Sequence, residues 1–165
     1  MSGCAAPNID SSYEMSEART TGVITGSITY DGVYGAYRLH LVERDTGKEY
    51  RVEHGSSQTL NLFLAFKGED PHPALSMNGS PFAVELPVGT YAVRGWQVSS
   101  GAASINSPLP VAVTFTVKPQ QAIYLGNFHF HEISRIGRLP TRASVTLSER
   151  KDRDLPAIKA AFPAL

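Results

Sequence analysis

The sequence has little cysteine and little charge, and each shortage excludes a class of protein. Cys4 is the only cysteine among 165 residues, which excludes an intramolecular disulfide and any multi-cysteine metal site. Charged residues make up 18% of the chain, and 15 basic residues balance 15 acidic ones. A net charge of zero supplies no long-range field to attract nucleic acid, so we expect no nucleic-acid partner.

Long apolar runs and sequence signatures of catalysis are missing as well. No apolar run approaches the roughly 20 residues that span a bilayer, and no charged start followed by an apolar stretch is visible. The chain has no G-x-S-x-G, H-E-x-x-H or P-loop motif. Glu69 and Asp70 are adjacent, but adjacency alone does not set two carboxylates across a cleft. We therefore expect no enzyme and no cofactor.

Glycine and proline are plentiful, at 14 and 11 residues, which is typical of many short strands joined by tight turns. The clearest stretch is Phe82–Trp96, FAVELPVGTYAVRGW, where apolar and polar residues alternate on either side of Pro87 and Gly89. This pattern predicts a β-hairpin. The same period predicts strands at 22–30, 37–42, 48–53, 60–66, 111–117, 122–132 and 143–147.

Together these patterns predict an all-β fold, a two-sheet sandwich of about seven to nine mostly antiparallel strands. The stripe of Leu60, Leu62, Leu64 and Phe66 predicts a central strand, and the aperiodic segment 67–81 predicts a long loop. We expect residues 1–21 to form a flexible tether and residues 22–165 to form one domain. A helix is predicted at about 154–162, capped by Asp154, with Leu155, Ile158 and Phe162 on one side.

Several short motifs resemble a known family. The pattern from Gly26 through Asp31-Gly32, the strand with Leu39 and Leu41, and LPVGTY at 86–91 resemble prealbumin-like (carboxypeptidase-regulatory-like) sandwich domains. The run from Lys118-Pro119 into AIYLG at 122–126 is similar to a strand pair of uncharacterised bacterial lipoproteins. The resemblance covers residues 22–165 and implies a prealbumin-like or Ig-like sandwich. It carries over no catalytic residue, and this chain is longer by the 67–81 loop.

The start of the chain resembles a lipoprotein lipobox. Ser2-Gly3-Cys4 matches its last residues, although the apolar stretch that precedes a lipobox is not in this sequence. The resemblance implies a lipid on Cys4, residues 5–21 as a leash, and membrane attachment through that lipid. Ala5 after the cysteine implies an outer-membrane location, facing the periplasm or the surface. The alternative is an ordinary exposed thiol.

Two histidines are candidates for a metal site. His129 and His131 lie on the same face of a predicted strand, and two imidazoles so placed bind Zn²⁺ or a similar ion if a neighbouring strand adds a third ligand. His40 is the third residue considered. The alternative is that Phe128 and Phe130 belong to the core and the histidines stand on the solvated face.

Three aromatic residues are candidates for a ligand platform. Trp96, with Tyr91 and Tyr124, predicts a flat surface for carbohydrate or a small molecule, because planar rings offer contact area at low entropy cost. Core packing is the alternative for the same three residues.

The first interpretation of the whole chain is a non-catalytic envelope lipoprotein that binds another envelope protein. Carbohydrate binding at Trp96 and metal binding at His129 and His131 are the alternatives.

Overall fold

The computed structural model describes residues 4–10, 12–15, 20–55, 71–137 and 139–165, apart from the side chains of Cys4 and residues 109–112. It confirms an all-β, two-sheet fold with one short C-terminal helix. The strands are β1 Cys4–Ala5, β2 Thr21–Tyr30, β3 Ala36–Glu43, β4 Glu49–Gly55, β5 Asn78–Pro87, β6 Gly89–Ser100, β7 Ala103–Val117, β8 Ala122–Ile136 and β9 Leu139–Ser148, and the helix is α1 Lys151–Ala161.

Sheet A has the strand order β1-β4-β3-β6-β7, and sheet B has the order β5-β2-β8-β9. Neighbouring strands are antiparallel except for β1 with β4 and β2 with β8, which are parallel. The alternation that predicted the strands also sets their inner faces, because successive side chains point to opposite sides of a sheet. The core between the sheets includes Ile28, Tyr37, Leu39, Tyr91 and Phe128, each at most 1% exposed.

The predicted hairpin at Phe82–Trp96 is wrong in its pairing. Both halves are strands, but β5 pairs with β2 in sheet B, and β6 pairs with β3 and β7 in sheet A. The turn at Pro87–Gly89 therefore carries the chain from one sheet to the other. Alternation alone does not distinguish the two arrangements, because the period of a strand sets its faces and not its partners.

The described part of the N-terminal segment is docked rather than a free tether. Cys4 and Ala5 pair with Tyr50 and Arg51 of β4, and Asn8 forms a bridge with Val84 of β5. Ile9 is 9% exposed and packs with Val23, Ala83, Ile158 and Phe162. The segment thus runs from the edge of sheet A to sheet B and seals one side of the sandwich, so residues 4–10 do not behave as the predicted leash.

Helix α1 begins three residues earlier than predicted, and its buried side is different. Its N-cap is Arg150, with no side-chain cap hydrogen bond, whereas Asp154 lies inside the helix and is fully buried. Ile158 and Phe162 pack with Val23 and Ala83 of sheet B, but Leu155, predicted on the same side of the helix, is exposed. Among the described residues, no helix is both long and apolar enough to cross a bilayer.

The predicted central strand at Leu60–Phe66 lies outside the described residues, as do residues 67–70 of the predicted loop. The described part of the predicted 67–81 loop ends at residue 77, four residues earlier than expected. A tight turn joins His72 to Met77, and β5 begins at Asn78.

The sandwich has two ends, named here by one residue each. At the Val88 end lie the β3–β4 turn and the Pro87–Gly89 connection, where Arg44 N–H donates to the carbonyl of Thr90. The Asp31 end carries the residues after β2 and the β8–β9 hairpin. Tyr30 stacks on Tyr37 of β3 with ring centroids 4.0 Å apart, which aligns this end of sheet B with the start of β3. Residue 4 pairs with the beginning of β4 and therefore enters from the Val88 end.

Candidate functional site

A row of polar side chains follows the outer face of sheet B, where β2 and β8 run side by side. Because both strands alternate and are parallel, the residues that do not face the core stand next to one another. Helix α1 covers one end of the row, and the other end reaches Asp31. The members of the row are Ser27, Thr29, Asp31, Asn127, His129 and His131.

The exposed end of the row brings two imidazoles and a carboxylate together. His129 Nε2 lies 3.7 Å from Asp31 Oδ2, and His131 Nδ1 lies 3.3 Å from the same oxygen. The two rings are 4.4 Å apart between centroids, and one ligand atom from each of the three residues lies within 4.8 Å of the others. The prediction that His129 and His131 share a face holds, and these three residues could hold a metal ion.

The environments of the two histidines differ. The His129 side chain is 12% exposed and that of His131 is 38% exposed. Burial lowers the pKa of His129, the neighbouring His131 lowers it further, and Asp31 acts in the opposite direction. The two Phe residues that alternate with them, Phe128 and Phe130, are core residues, as the alternative interpretation expected.

His40 is not part of this group. It lies on β3 in sheet A, paired with Arg51 and Gly95, whereas the other two histidines lie on sheet B. Leu39 and Leu41 on either side of His40 face the core, so His40 points away from sheet B. Since packed sheets are about 10 Å apart, His40 cannot share an ion with His129, and the prediction of His40 as the third ligand is wrong.

Asp31 is a potential ligand that the sequence pattern did not indicate. Its Asp-Gly context predicts a turn, and nothing in the pattern indicates that residues 31 and 131 meet. Two hydrogen bonds tie this loop to Glu132 of β8: Glu132 N–H donates to Asp31 Oδ1 at 2.6 Å, and Val33 N–H donates to Glu132 Oε2 at 3.2 Å. The loop after β2 is thereby fixed against β8.

The aromatic platform predicted at Trp96 does not form. Trp96 is 4% exposed and meets Phe130 edge-to-face inside the sandwich. Tyr91 is fully buried against Phe115 and Tyr50. Tyr124 belongs to a different cluster, beneath helix α1, where its hydroxyl donates to Asp154. Rings in separate apolar clusters present no common surface to a sugar.

The covered end of the polar row centres on Asp154. Ser27 and Tyr124 donate hydrogen bonds to its Oδ2 at 2.6 and 2.8 Å, and Arg153 lies 2.7 Å from its Oδ1. Burial and the bond to Asp154 raise the pKa of Tyr124. Asn127 continues the row by donating to Ser27 and Thr29. The carboxylate thus holds α1 to sheet B.

Apolar residues are exposed at the Asp31 end. The pairing of β2 with β8 stops at Tyr30 and Phe130, but β8 and β9 continue as a two-stranded ribbon to Ile136 and Leu139. In the described part of the chain, four of the eight exposed large apolar side chains lie on this ribbon or the adjacent loop. They are Val33, Ile133, Ile136 and Leu139.

The chain shows little similarity to known proteins. No protein family model and no curated protein matches the chain. Among solved structures, a leucine-rich repeat protein from Bacteroides thetaiotaomicron VPI-5482 is similar, with 17% identity and a TM-score of 0.37. That similarity covers 76% of this chain, and the chain spans 15% of that protein's length.

Proposed function

We propose that this protein is a non-catalytic interaction module of the bacterial cell envelope, and that its Asp31 end is the surface that binds another envelope protein. In this proposal the prealbumin-like sandwich is a rigid support, and a lipid on Cys4 attaches it to the outer membrane. The observation that supports it is the β8–β9 ribbon, with Ile136 and Leu139 paired at its tip and 73% and 51% exposed.

The ribbon favours a protein partner of defined chemistry. A two-stranded ribbon without a third strand is marginal in water, and large exposed apolar side chains gain stability when a partner covers them. Residues 131–142 contain three arginines and one glutamate. Arg135 is 45% exposed and ion-paired with Glu132, and Arg142 is exposed. The partner that this argument favours has a surface with an apolar centre and acidic groups around it, which complements the apolar and basic residues at the Asp31 end.

The docked N-terminal segment gives the proposal an orientation. Residue 4 enters at the Val88 end, and the strand pairing of β1 leaves no free leash between Cys4 and the domain. A lipid on Cys4 would hold the Val88 end close to the bilayer. The ribbon at the opposite end would then point away from that membrane, toward a partner.

Site-specific crosslinking in cells tests the binding surface. A photoreactive residue at Ile136 should form a discrete adduct with an envelope protein, and the same residue at Val88 should not. Val88 is a matched control, because it is also apolar and 44% exposed but lies at the other end. Equal adducts from both positions, or none from Ile136, would contradict the proposed surface.

Fatty-acid labelling tests the anchor separately. Expression of the whole gene in its native host with a labelled fatty acid should label the wild-type protein, and Cys4→Ser should abolish the label. Label on both proteins, or on neither, would refute the lipid on Cys4. The crosslinking result does not depend on this outcome.

A further inference from the structure

We propose that Asp31, His129 and His131 form a binding site for one divalent transition-metal ion of the Zn²⁺ type. The ligand atoms are Asp31 Oδ2, His129 Nε2 and His131 Nδ1. The site goes beyond the proposed binding of a partner protein and rests on different observations, so either proposal can fail without the other.

The spacing of the ligand atoms suits such an ion. Zinc binds nitrogen and oxygen at about 2.0–2.2 Å in tetrahedral geometry, which places neighbouring ligand atoms about 3.3–3.6 Å apart. The oxygen of Asp31 lies 3.3 Å from His131 and 3.7 Å from His129, and all three atoms fall within 4.8 Å of one another. Small side-chain rotations therefore close the site around an ion.

The atoms that do not face the ion each have a hydrogen-bond partner. His129 Nδ1 lies 2.8 Å from Thr29 Oγ1, and His131 Nε2 lies 3.0 Å from Thr146 Oγ1. A metal-bound imidazole donates its other N–H to an acceptor, which fixes the tautomer and the ring direction. The two threonine hydroxyls are placed to accept these protons, one from β2 and one from β9, on either side of β8.

Asp31 is supported in the same way. Its Oδ1 accepts the backbone N–H of Glu132, which leaves Oδ2 directed toward the histidines. Each of the three ligands is thus oriented by an outer partner on a strand or at a strand end, and Thr29 is itself fully buried. Surface histidines that lie next to an acid by chance do not need a hydrogen-bond partner on the far side of each side chain, as Thr29, Thr146 and the Glu132 N–H provide here.

The chemistry of the ligands selects the class of ion. Two imidazole nitrogens and one carboxylate suit Zn²⁺, Co²⁺, Ni²⁺ or Cu²⁺, whereas Mg²⁺ and Ca²⁺ prefer sites made of oxygen atoms. Three protein ligands leave a tetrahedral ion one position for water or an incoming ligand. That position faces solvent, because Asp31 is 49% exposed and His131 is 38% exposed.

Metal titration of the untagged, chelator-treated protein tests the site. We expect calorimetry to show that about one equivalent of Zn²⁺ binds. Co²⁺ should give the visible absorption of a four-coordinate ion, and Mg²⁺ should not compete with Zn²⁺ or Co²⁺. His131→Ala should abolish the Co²⁺ spectrum, and Thr29→Val and Thr146→Val should weaken Zn²⁺ binding by about 10- to 100-fold. His40→Ala is the matched control and should bind as wild type does.

Thermal unfolding separates loss of the site from loss of the fold. Zn²⁺ should raise the melting temperature of wild type and of His40→Ala but not that of His131→Ala, whose melting temperature in chelator should stay near that of wild type. Absence of Zn²⁺ binding by the wild-type protein, or equal binding by His131→Ala and wild type, would overturn the assignment.

Discussion

Replacing Asp154 by alanine should lower the stability of the domain far more than the same change at the exposed Asp152 of helix α1. The side chain is fully buried. Its two oxygens accept hydrogen bonds from Ser27, Tyr124 and Arg153 at 2.6–2.8 Å. Alanine removes the acceptor from all three donors at once, two of which lie in the interface between α1 and sheet B.

The expected magnitude follows from these contacts. Removing one partner of a buried ion pair costs about 3–5 kcal/mol, because the groups left behind stay desolvated. Arg153 is 23% exposed and can turn toward water, so we expect the lower end, about 3 kcal/mol in the free energy of unfolding. For a domain of this size that corresponds to a melting temperature lower by roughly 6–12 °C.

Urea unfolding of two alanine variants measures the effect. Asp152→Ala is the control, since Asp152 also lies in the first turn of α1 but is exposed. Both substitutions remove the same favourable interaction with the helix dipole, about 0.3–1 kcal/mol. If Asp154→Ala lowers the free energy of unfolding by no more than Asp152→Ala does, then the buried hydrogen bonds do not hold the helix to sheet B.

A double-mutant cycle tests the same bond directly. Ser27→Ala should destabilise the wild-type protein but have little further effect in the Asp154→Ala background, with a coupling energy of about 0.5–3 kcal/mol. Additive effects would show that Ser27 and Asp154 act independently.

Three further predictions concern other parts of the chain. Gly79→Ala should strongly destabilise, because φ at Gly79 is +134° and a Cβ would collide with the carbonyl of Ile28; a thermal melt within 1 °C of wild type would contradict this. Ile9→Ala should cost about 2–3 kcal/mol in urea unfolding, since Ile9 is buried; an unchanged midpoint would restore the flexible-tether hypothesis. Burial and Arg51 lower the pKa of His40, so near and just below pH 6.5, between the pKa values of the folded and unfolded states, the folded state binds fewer protons than the unfolded state. Stability should therefore fall as the pH drops from 7 to 5, and His40→Gln should reduce that slope in urea titrations; an identical slope would argue against it.

In β3 and β8, local patterns predicted which side of the strand faces the core. Alternation identified Leu39, Leu41, Phe128 and Phe130 as inward residues, and all four are buried. The same rule placed His129 and His131 together on the other side of β8. These predictions succeed because the direction of a side chain depends on the strand's own period, which the sequence displays without reference to any other segment.

Strand partners and convergent side chains depended on tertiary structure. The Pro87–Gly89 turn is compatible with a hairpin and with a crossing between sheets, and only the packing of the whole core separates them. Asp31 meets His131 across 100 residues because β2 and β8 happen to be parallel neighbours. Asp154, whose sequence context is typical of a helix cap, is buried at a position where Ser27 and Tyr124 donate hydrogen bonds to it. Periodicity is a local property, whereas contact between distant residues is decided by which faces bury the most apolar surface together.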